Sequence, residues 1–317
     1  MDIGPAGKTV LVTGGAGFIG SHLAEALCER NEVRILDDFS SGIRTNVPEG
    51  AMVVEGDVRE EEARELAMDG VDVVFHQAAQ ISVERSVEEP ATSHSVNAEA
   101  TVSVLERARE ESARVVLASS SAIYGDPEEV PLPEEHPKRP TSPYGIAKLT
   151  ADHYARLYTD LYDLPTVALR YFNVYGPRQA GADYNGVISA FVEQARTGGP
   201  ITVHGDGRQT RDFVHVDDVV RANLLAATTD RVGEAYNVGT GERTTIVTLA
   251  ETIAELIDPK TPITHVEPRV GDVRHSQADI SKSRAHLGFD PSVSLRDGLV
   301  SFLKAESISR ERVETEL

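Results

Sequence analysis

Short apolar runs alternate with longer amphipathic stretches through the first half of the chain. The runs Lys8–Thr13, Val33–Leu36, Met52–Glu55, Val71–His76, Val115–Ser119 and Thr166–Tyr171 read as strands, each bounded by turn-forming residues. Between them, Ile19–Glu29, Glu60–Ala67, Ser93–Ser112 and Tyr144–Tyr162 carry apolar residues at helical spacing. This alternation predicts an α/β fold with a parallel sheet and helices on both of its faces. Right-handed crossovers make that a Rossmann-type, doubly wound sheet, with its ligand crevice at the carboxyl ends of the strands.

After Tyr171 the regular order loosens, and Gly, Pro and Tyr become frequent through Asn173–Gly186. Helical signal returns at Val187–Thr197, Val216–Ala227 and Thr248–Ile257, with short strands at Ile201–His204 and Ala235–Val238. We therefore expect a dinucleotide-binding domain over residues 1–172, with 213–240 returning to it. Residues 173–212 and 241–317 are expected to form mainly a smaller substrate-binding lid. The charged tail Glu306–Leu317 is expected to fray.

Composition narrows the classes. The chain has 317 residues, enough to bury a large core without a disulfide or metal staple. No run of about 18 apolar residues suggests a membrane span. The start has no basic segment followed by an apolar one, so a signal peptide is not expected. Cys28 is the single cysteine, which fits a reducing, cytoplasmic setting and reads as a buried, inert helix residue. With 51 acids against 31 Lys plus Arg, the net charge of −20 makes nucleic acid a poor partner. Only six of those basic residues are lysines. An acidic, lysine-poor surface suits a high-salt cytoplasm, where self-repulsion is screened.

Two motifs carry chemistry. VLVTGGAGFIG, from Val10 to Gly20, follows a strand and opens a helix. Gly14, Gly17 and Gly20 permit a tight turn, close approach to a pyrophosphate and close helix–strand packing, while the helix start, Phe18 and Ile19, offers free N–H groups. Asp37 ends the next strand, where an acid would accept the ribose hydroxyls and repel a 2′-phosphate, favouring NAD over NADP. Farther on, Tyr144 and Lys148 stand one helical turn apart, so they share a face. A phenol with a pKa near 10 is a poor base unless an adjacent cation favours its ionised form. Ser119-Ser120-Ser121 closes a strand at its carboxyl end, where a hydroxyl could hold a substrate oxygen. No Gly-x-Ser-x-Gly elbow surrounds these serines, and no His or Cys spacing suggests a metal. His76 reads as a strand-end packing residue.

These motifs, with SSSAIYG at 119–125, SPYGIAK at 142–148, LRYFNVYGP at 169–177, RDFVHVDD at 211–218 and GDVRHSQADIS at 271–281, are similar to those of the extended short-chain dehydrogenase/reductase family. Within it the chain resembles the NAD-dependent sugar-nucleotide 4-epimerases. The resemblance implies Ser120 as the catalytic serine, Tyr144 as the base and Lys148 as the ribose-binding residue that lowers the tyrosine's pKa. It implies Asp57 and Val58 beside the adenine, and Asn97 and Tyr171 on the cofactor side. Ser121, Asn173, Arg211, Arg269, Asp272 and Ser276 match substrate positions, Asn173 at the diphosphate and the small Ser276 leaving room for an N-acetylated sugar. It also implies a homodimer through the two helices at Ser93–Ser112 and Tyr144–Tyr162, with Val102, Leu105, Leu157 and Leu161 available to the interface or to the sheet.

The expected reaction is C4 epimerisation of a UDP-hexose with tightly bound NAD, through a transient 4-keto sugar. The 4,6-dehydratases carry Asp-Glu just after the catalytic hydroxyl, where this chain has Ser121 and Ala122. The decarboxylases usually carry a Glu in this stretch. UDP-glucuronate remains a candidate substrate, since Arg178 or Arg208 could meet a carboxylate. A net NAD(P)-linked reductase or dehydrogenase is the alternative within enzymes. A non-catalytic dinucleotide sensor would have no reason to keep the serine, tyrosine and lysine together.

Overall fold

The computed structural model describes residues 3–179, 186–269 and 273–315, with side chains through residue 307. The first half runs β1 (Thr9–Thr13), α1 (Phe18–Cys28), β2 (Glu32–Asp37), β3 (Met52–Glu55), α2 (Glu61–Met68), β4 (Val73–His76), α3 (Val83–Glu88), α4 (Pro90–His94), α5 (Ala100–Glu111), β5 (Arg114–Ser120), α6 (Pro143–Tyr162) and β6 (Thr166–Tyr171). The second half continues β7 (Asn173–Tyr175), α7 (Val187–Arg196), β8 (Ile201–His204), β9 (Thr210–Arg211), β10 (Phe213–His215), α8 (Val216–Ala226), β11 (Glu234–Val238), β12 (Thr244–Thr245), α9 (Ile246–Ile257), β13 (Ile263–Val266), α10 (Ser281–Leu287) and α11 (Leu295–Thr315).

Seven strands form one parallel sheet in the order β3-β2-β1-β4-β5-β6-β11. The order reverses between β1 and β4, which opens the crevice of a doubly wound sheet at their carboxyl ends. One face packs α1 and α8 against Val10, Val12, Val116 and Leu169. The other packs α2, α5 and α6 against Leu11, Val74, Val115 and Ala168. A third core, built on Phe191, Val203, Leu249, Ile253, Leu299 and Phe302, joins α7, β8, α9 and α11. Short pairings β7–β10, β9–β12 and β8–β13 lie outside the main sheet.

Several sequence expectations need correction. The helical stretch at Ser93–Ser112 is not one regular helix: a π turn at Ser95–Glu99 separates α4 from α5. The charged tail from Glu306 belongs to a helix the sequence reading did not mark, α11, which runs to Thr315 and is anchored by the buried Leu299 and Phe302 and by the Arg196–Glu306 pair. Cys28 is half-buried rather than buried, and burial with nearby Glu25 raises its pKa, which keeps it a thiol. Within the C-terminal third, Leu287 and Phe289 pack into the core beside β11 and α8, so that stretch also contributes to the sheet's packing. No described helix is long and apolar enough to cross a membrane.

Candidate active site

The glycine turn is shaped for a diphosphate. Gly14 donates its N–H to Leu36 O across the β1–β2 edge, and Gly17 begins α1 with no side-chain cap. The first-turn amides of Phe18 and Ile19 therefore have the helix dipole behind them and no capping oxygen in front. A Cβ on Gly20 would run into the Gly14 carbonyl, so only glycine lets the helix return this close to the turn. Gly20→Ala is expected to cost about 1–3 kcal/mol from overpacking and to lower the nicotinamide content of the purified protein. Unchanged melting and unchanged cofactor content would contradict the close-packing argument.

Asp37 stands at the end of β2 and is buried. Its carboxylate accepts from the Ala16 N–H (2.9 Å) and the Phe39 N–H (2.9 Å), so it braces the glycine turn. Burial raises its pKa, and the two amides partly offset that shift. Gly56 donates to Asp37 O, bringing the end of β3, and with it Asp57 and Val58, to the same side. Asp57 is held by Arg59 (Nε–Oδ2 2.9 Å), whose hydrogen bonds lower its pKa; Val58 is buried. Asn97 is buried in the π turn, and its amide clasps both the N–H and the carbonyl of Gln80 in the loop after β4. Its side chain thus shapes that loop. Taken together, the uncapped helix start, the close glycine turn and the acid at the end of β2 fit a dinucleotide diphosphate and ribose.

His76 packs at the end of β4, as expected, and is also part of a buried hydrogen-bond chain. Thr101 Oγ1 donates to Asn97 O, which leaves it to accept from His76 Nε2–H (3.1 Å), while Thr13 Oγ1 donates to Nδ1 (2.7 Å). Burial, helped by the neighbouring Lys148 charge, lowers the His76 pKa to about 3 and keeps it neutral.

The helix that carries Tyr144 and Lys148 starts against the end of the strand that carries Ser120. Ser120 ends β5 and caps a short turn, its Oγ accepting from Ala122 N. Helix α6 starts where Ser142 Oγ caps Gly145 N and Pro143 occupies the first position. Tyr144 follows in the first turn. Lys148 lies one turn on, is 4% exposed, and donates from Nζ to Ala118 O, two residues before Ser120 (2.9 Å). Gly145, beside Tyr144, lies so close to Ala122 that a Cβ there would be 2.8 Å from its carbonyl oxygen. The first turns of α6 are therefore pinned to the chain on both sides of Ser120. Burial lowers the Lys148 pKa to about 8. Ser121 lies next to Ser120, half-buried.

Two further tyrosines, Tyr124 and Tyr171, are buried and held as phenols. Tyr124 donates to Asn237 Oδ1 (2.7 Å), and burial pushes its pKa up to about 12. Tyr171 is buried at the end of β6 and accepts from Asn223 Nδ2 (2.8 Å), with its pKa likewise raised by burial to about 12. Beneath the serine cluster, Asp152 on α6 accepts from Ser119 Oγ (2.8 Å) and forms a two-pronged ion pair with Arg170 (2.9 and 3.0 Å).

Asn173 begins β7, its backbone and side-chain amides both donating to Asp212 O. Arg211 ends β9 and donates from Nη1 to Val273 O (2.7 Å). Ser276 is buried, and its N–H binds Thr210 O beside Arg211. Arg269 is exposed and lines a surface cavity of about 300 Å³ with His204, Asp206, Gln209, Pro268 and Arg274. Asp272 lies outside the described residues. Arg178 turns to Glu25 (2.7 Å) and Ser21 on α1, and Arg208 is exposed.

The sequence reading placed the start of α7 at Val187, as found, and gave Gln179 no role. Asn173, Gln179 and Gly186–Ile188 line one small cavity, where α7 also begins without a side-chain cap. Gln179 sits within the irregular Asn173–Gly186 stretch, so only the three-dimensional proximity reveals it.

The family model for the NAD dependent epimerase/dehydratase family matches residues 10–239. A UDP-glucose 4-epimerase of Mycolicibacterium smegmatis is 39% identical over 310 residues, spanning 94% of this chain and 99% of that protein. A UDP-glucose 4-epimerase of Thermotoga maritima, solved with UDP-glucose, superposes with a TM-score of 0.91 at 39% identity, covering 95% of this chain and 99% of that one. The Thermus thermophilus UDP-glucose 4-epimerase solved with NAD has a TM-score of 0.86 at 39% identity, covering 94% and 98%. A relative with a different activity matches as well, UDP-glucuronic acid decarboxylase 1 of Arabidopsis thaliana, 35% identical over 94% of this chain and 70% of that protein. On the strength of these matches and of its parallel sheet, the chain belongs to the NAD dependent epimerase/dehydratase family.

Proposed function

We propose that the protein interconverts the C4 epimers of a UDP-hexose, with Ser120, Tyr144 and Lys148 carrying the chemistry. What supports this reading is that α6, the helix carrying Tyr144 and Lys148, is pinned to the chain on both sides of Ser120, with Lys148 Nζ on Ala118 O and Gly145 against Ala122 O. Bound NAD would supply a reversible hydride acceptor. Tyr144 Oη takes the proton of the C4 hydroxyl, Ser120 Oγ hydrogen-bonds the same oxygen, and the Lys148 ammonium favours the phenolate. Asn173, Arg211 and Arg269 hold the diphosphate and nucleotide by charge-assisted hydrogen bonds, leaving the hexose free to turn over. Residues 1–172 with 213–240 would serve the cofactor, and 173–212 with 241–317 the substrate. Ser121 and Ala122 supply neither the acid–base pair of a dehydratase nor the glutamate usual in the decarboxylases, which favours epimerisation over the activity of the Arabidopsis relative.

The test is to incubate the protein with UDP-glucose, UDP-N-acetylglucosamine and UDP-glucuronate separately, with no cofactor added, and to follow the anomeric protons by NMR. Formation of a C4 epimer from any of them supports the reading and names the sugar. Loss of carbon dioxide from UDP-glucuronate would replace it with decarboxylation. Arg178 turns to Glu25 on α1, which leaves the exposed Arg208 as the named arginine open to a glucuronate carboxylate.

The same reading includes a homodimer. Leu105 is fully buried against the sheet, so it drops out of any interface. Ile146, Tyr154, Leu157 and Leu161 on α6, with Val83 and Val87 on neighbouring α3, form an exposed apolar strip. Leu157→Glu with Leu161→Glu should give a folded monomer by light scattering; an unchanged mass would remove this face from the assembly. A cytoplasm rich in salt is proposed from the −20 net charge. Structure lost at low salt and regained in molar salt would support that habitat, and salt-indifferent melting would contradict it.

A further inference from the structure

Asp212 follows Arg211 and is completely buried. Its carboxylate receives four neutral donors. Oδ1 accepts from Thr240 N (2.7 Å) and Thr240 Oγ1 (2.7 Å), and Oδ2 accepts from Gly241 N (3.0 Å) and Ala278 N (3.0 Å). Its backbone carbonyl accepts both amides of Asn173, N at 3.0 Å and Nδ2 at 3.2 Å. Its neighbour Thr210 pairs with the backbone of Arg274 and Ser276. One short segment, 210–212, thus joins the turn after β11, the start of β7 and the segment that carries Ser276.

Among the described residues no cation pairs with this carboxylate; burying a charge so is costly, and here backbone amides from two distant segments compensate it. That arrangement fixes relative positions more tightly than apolar contact would, because each donor must point at one oxygen. We propose that Asp212 is a positioning residue that sets the spacing of the substrate-side groups Asn173, Arg211 and Ser276, and through them the affinity for the nucleotide diphosphate. The inference rests on the nucleotide-sugar reading above. It assigns Asp212 no contact with the reacting atoms, and the cofactor turn and α6 lie outside its hydrogen bonds.

Asp212→Asn keeps the volume but turns one acceptor into an NH2 donor facing two other donors, so one of the two pairs of bonds must break. Titrating UDP into the purified holoprotein by calorimetry reads the consequence. Affinity should fall about tenfold or more, while bound nicotinamide content and kcat at saturating sugar stay within about threefold. Thr240→Val removes one hydroxyl donor to Asp212, together with that hydroxyl's exposed bond from Glu242 N, and should weaken UDP binding by a few-fold in a well-folded protein. This second variant keeps the inference testable if Asp212→Asn does not fold. A purely architectural role would lower the melting temperature and leave UDP affinity per folded molecule unchanged. UDP affinity within about twofold of the native value in folded Thr240→Val and Asp212→Asn would overturn the inference. If the native protein itself binds no UDP, the nucleotide-sugar reading fails first, and the inference falls with it.

Discussion

Tyr144→Phe is expected to cut turnover by about 10²- to 10⁴-fold while the purified protein keeps its nicotinamide cofactor. The substitution removes one oxygen and keeps the ring, so the start of α6 retains its Ser142 cap and its packing on the turn after β5. The proposed cofactor grips, at the glycine turn, Asp37, the Gln80 loop and the Lys148 ammonium, are all left intact. The remaining rate measures what Ser120 and binding alone can do. Lys148→Met tests the partner. Without the ammonium the phenol should ionise closer to its ordinary value near 10, so residual activity should rise with pH to a more alkaline limit. Burial lowers the Lys148 pKa to about 8, so the unfolded chain holds that proton more tightly. The cofactor-free fold therefore bears a cost at neutral pH that is relieved as pH rises from about 8 towards the unfolded value. Lys148→Met should melt higher than the native apoprotein at pH 7 while losing activity. Full turnover in Tyr144→Phe would remove the tyrosine from the base role.

Asp152→Ala should destabilise the protein by about 3–5 kcal/mol, a large share of the roughly 5–15 kcal/mol that holds a typical domain together. Asp152 is 0% and Arg170 is 1% exposed, and their two-pronged pair is completed by Tyr124 Oη, Glu134 O and Ser119 Oγ. Removing the carboxylate strands a guanidinium in the core and releases Ser119, the residue before Ser120. Burial pushes the Asp152 pKa up, but the Arg170 hydrogen bonds and charge, the Ser119 hydroxyl and Arg156 outweigh it, and the net shift is down. The stabilisation is therefore present above the ordinary aspartate value and is lost as pH falls through the lower folded one. Urea melts at neutral and acid pH read both effects. The native protein should lose more stability than Asp152→Ala on acidification. Asp152→Leu with Arg170→Met should recover part of the loss, since apolar replacement of a whole buried pair is far less damaging than breaking it. A loss below about 1 kcal/mol in Asp152→Ala would show that water reaches Arg170.

The sheet was legible because its strands are short apolar runs closed by turn residues: Met52–Glu55 and Thr166–Tyr171 have the predicted bounds. The glycine turn was equally clear, since its glycines stand between a strand and a helix. The small pairings were not. β7 is three residues long and finds its partner β10 some forty positions later, a contact no local pattern encodes. The Asp152–Arg170–Ser119 network was invisible for a related reason: polar residues 18 and 33 positions apart look like surface until the fold buries them together. Asp212 likewise reads as one more acid in an acidic chain. Helix α11 could have been found, because Leu295, Leu299, Phe302 and Leu303 recur at helical spacing. The charge of the final residues hid that pattern.

The most direct test of the central claim follows the hydrogen on C4. UDP-glucose deuterated at C4, incubated with the protein and no added cofactor, should yield UDP-galactose that still carries deuterium at C4, read by NMR and mass spectrometry. Retention with inversion means that the C4 hydrogen leaves and returns without mixing with water, as the Ser120–Tyr144–Lys148 site requires. Deuterium lost to solvent, or no inverted product from any of the three UDP-sugars, would contradict the account.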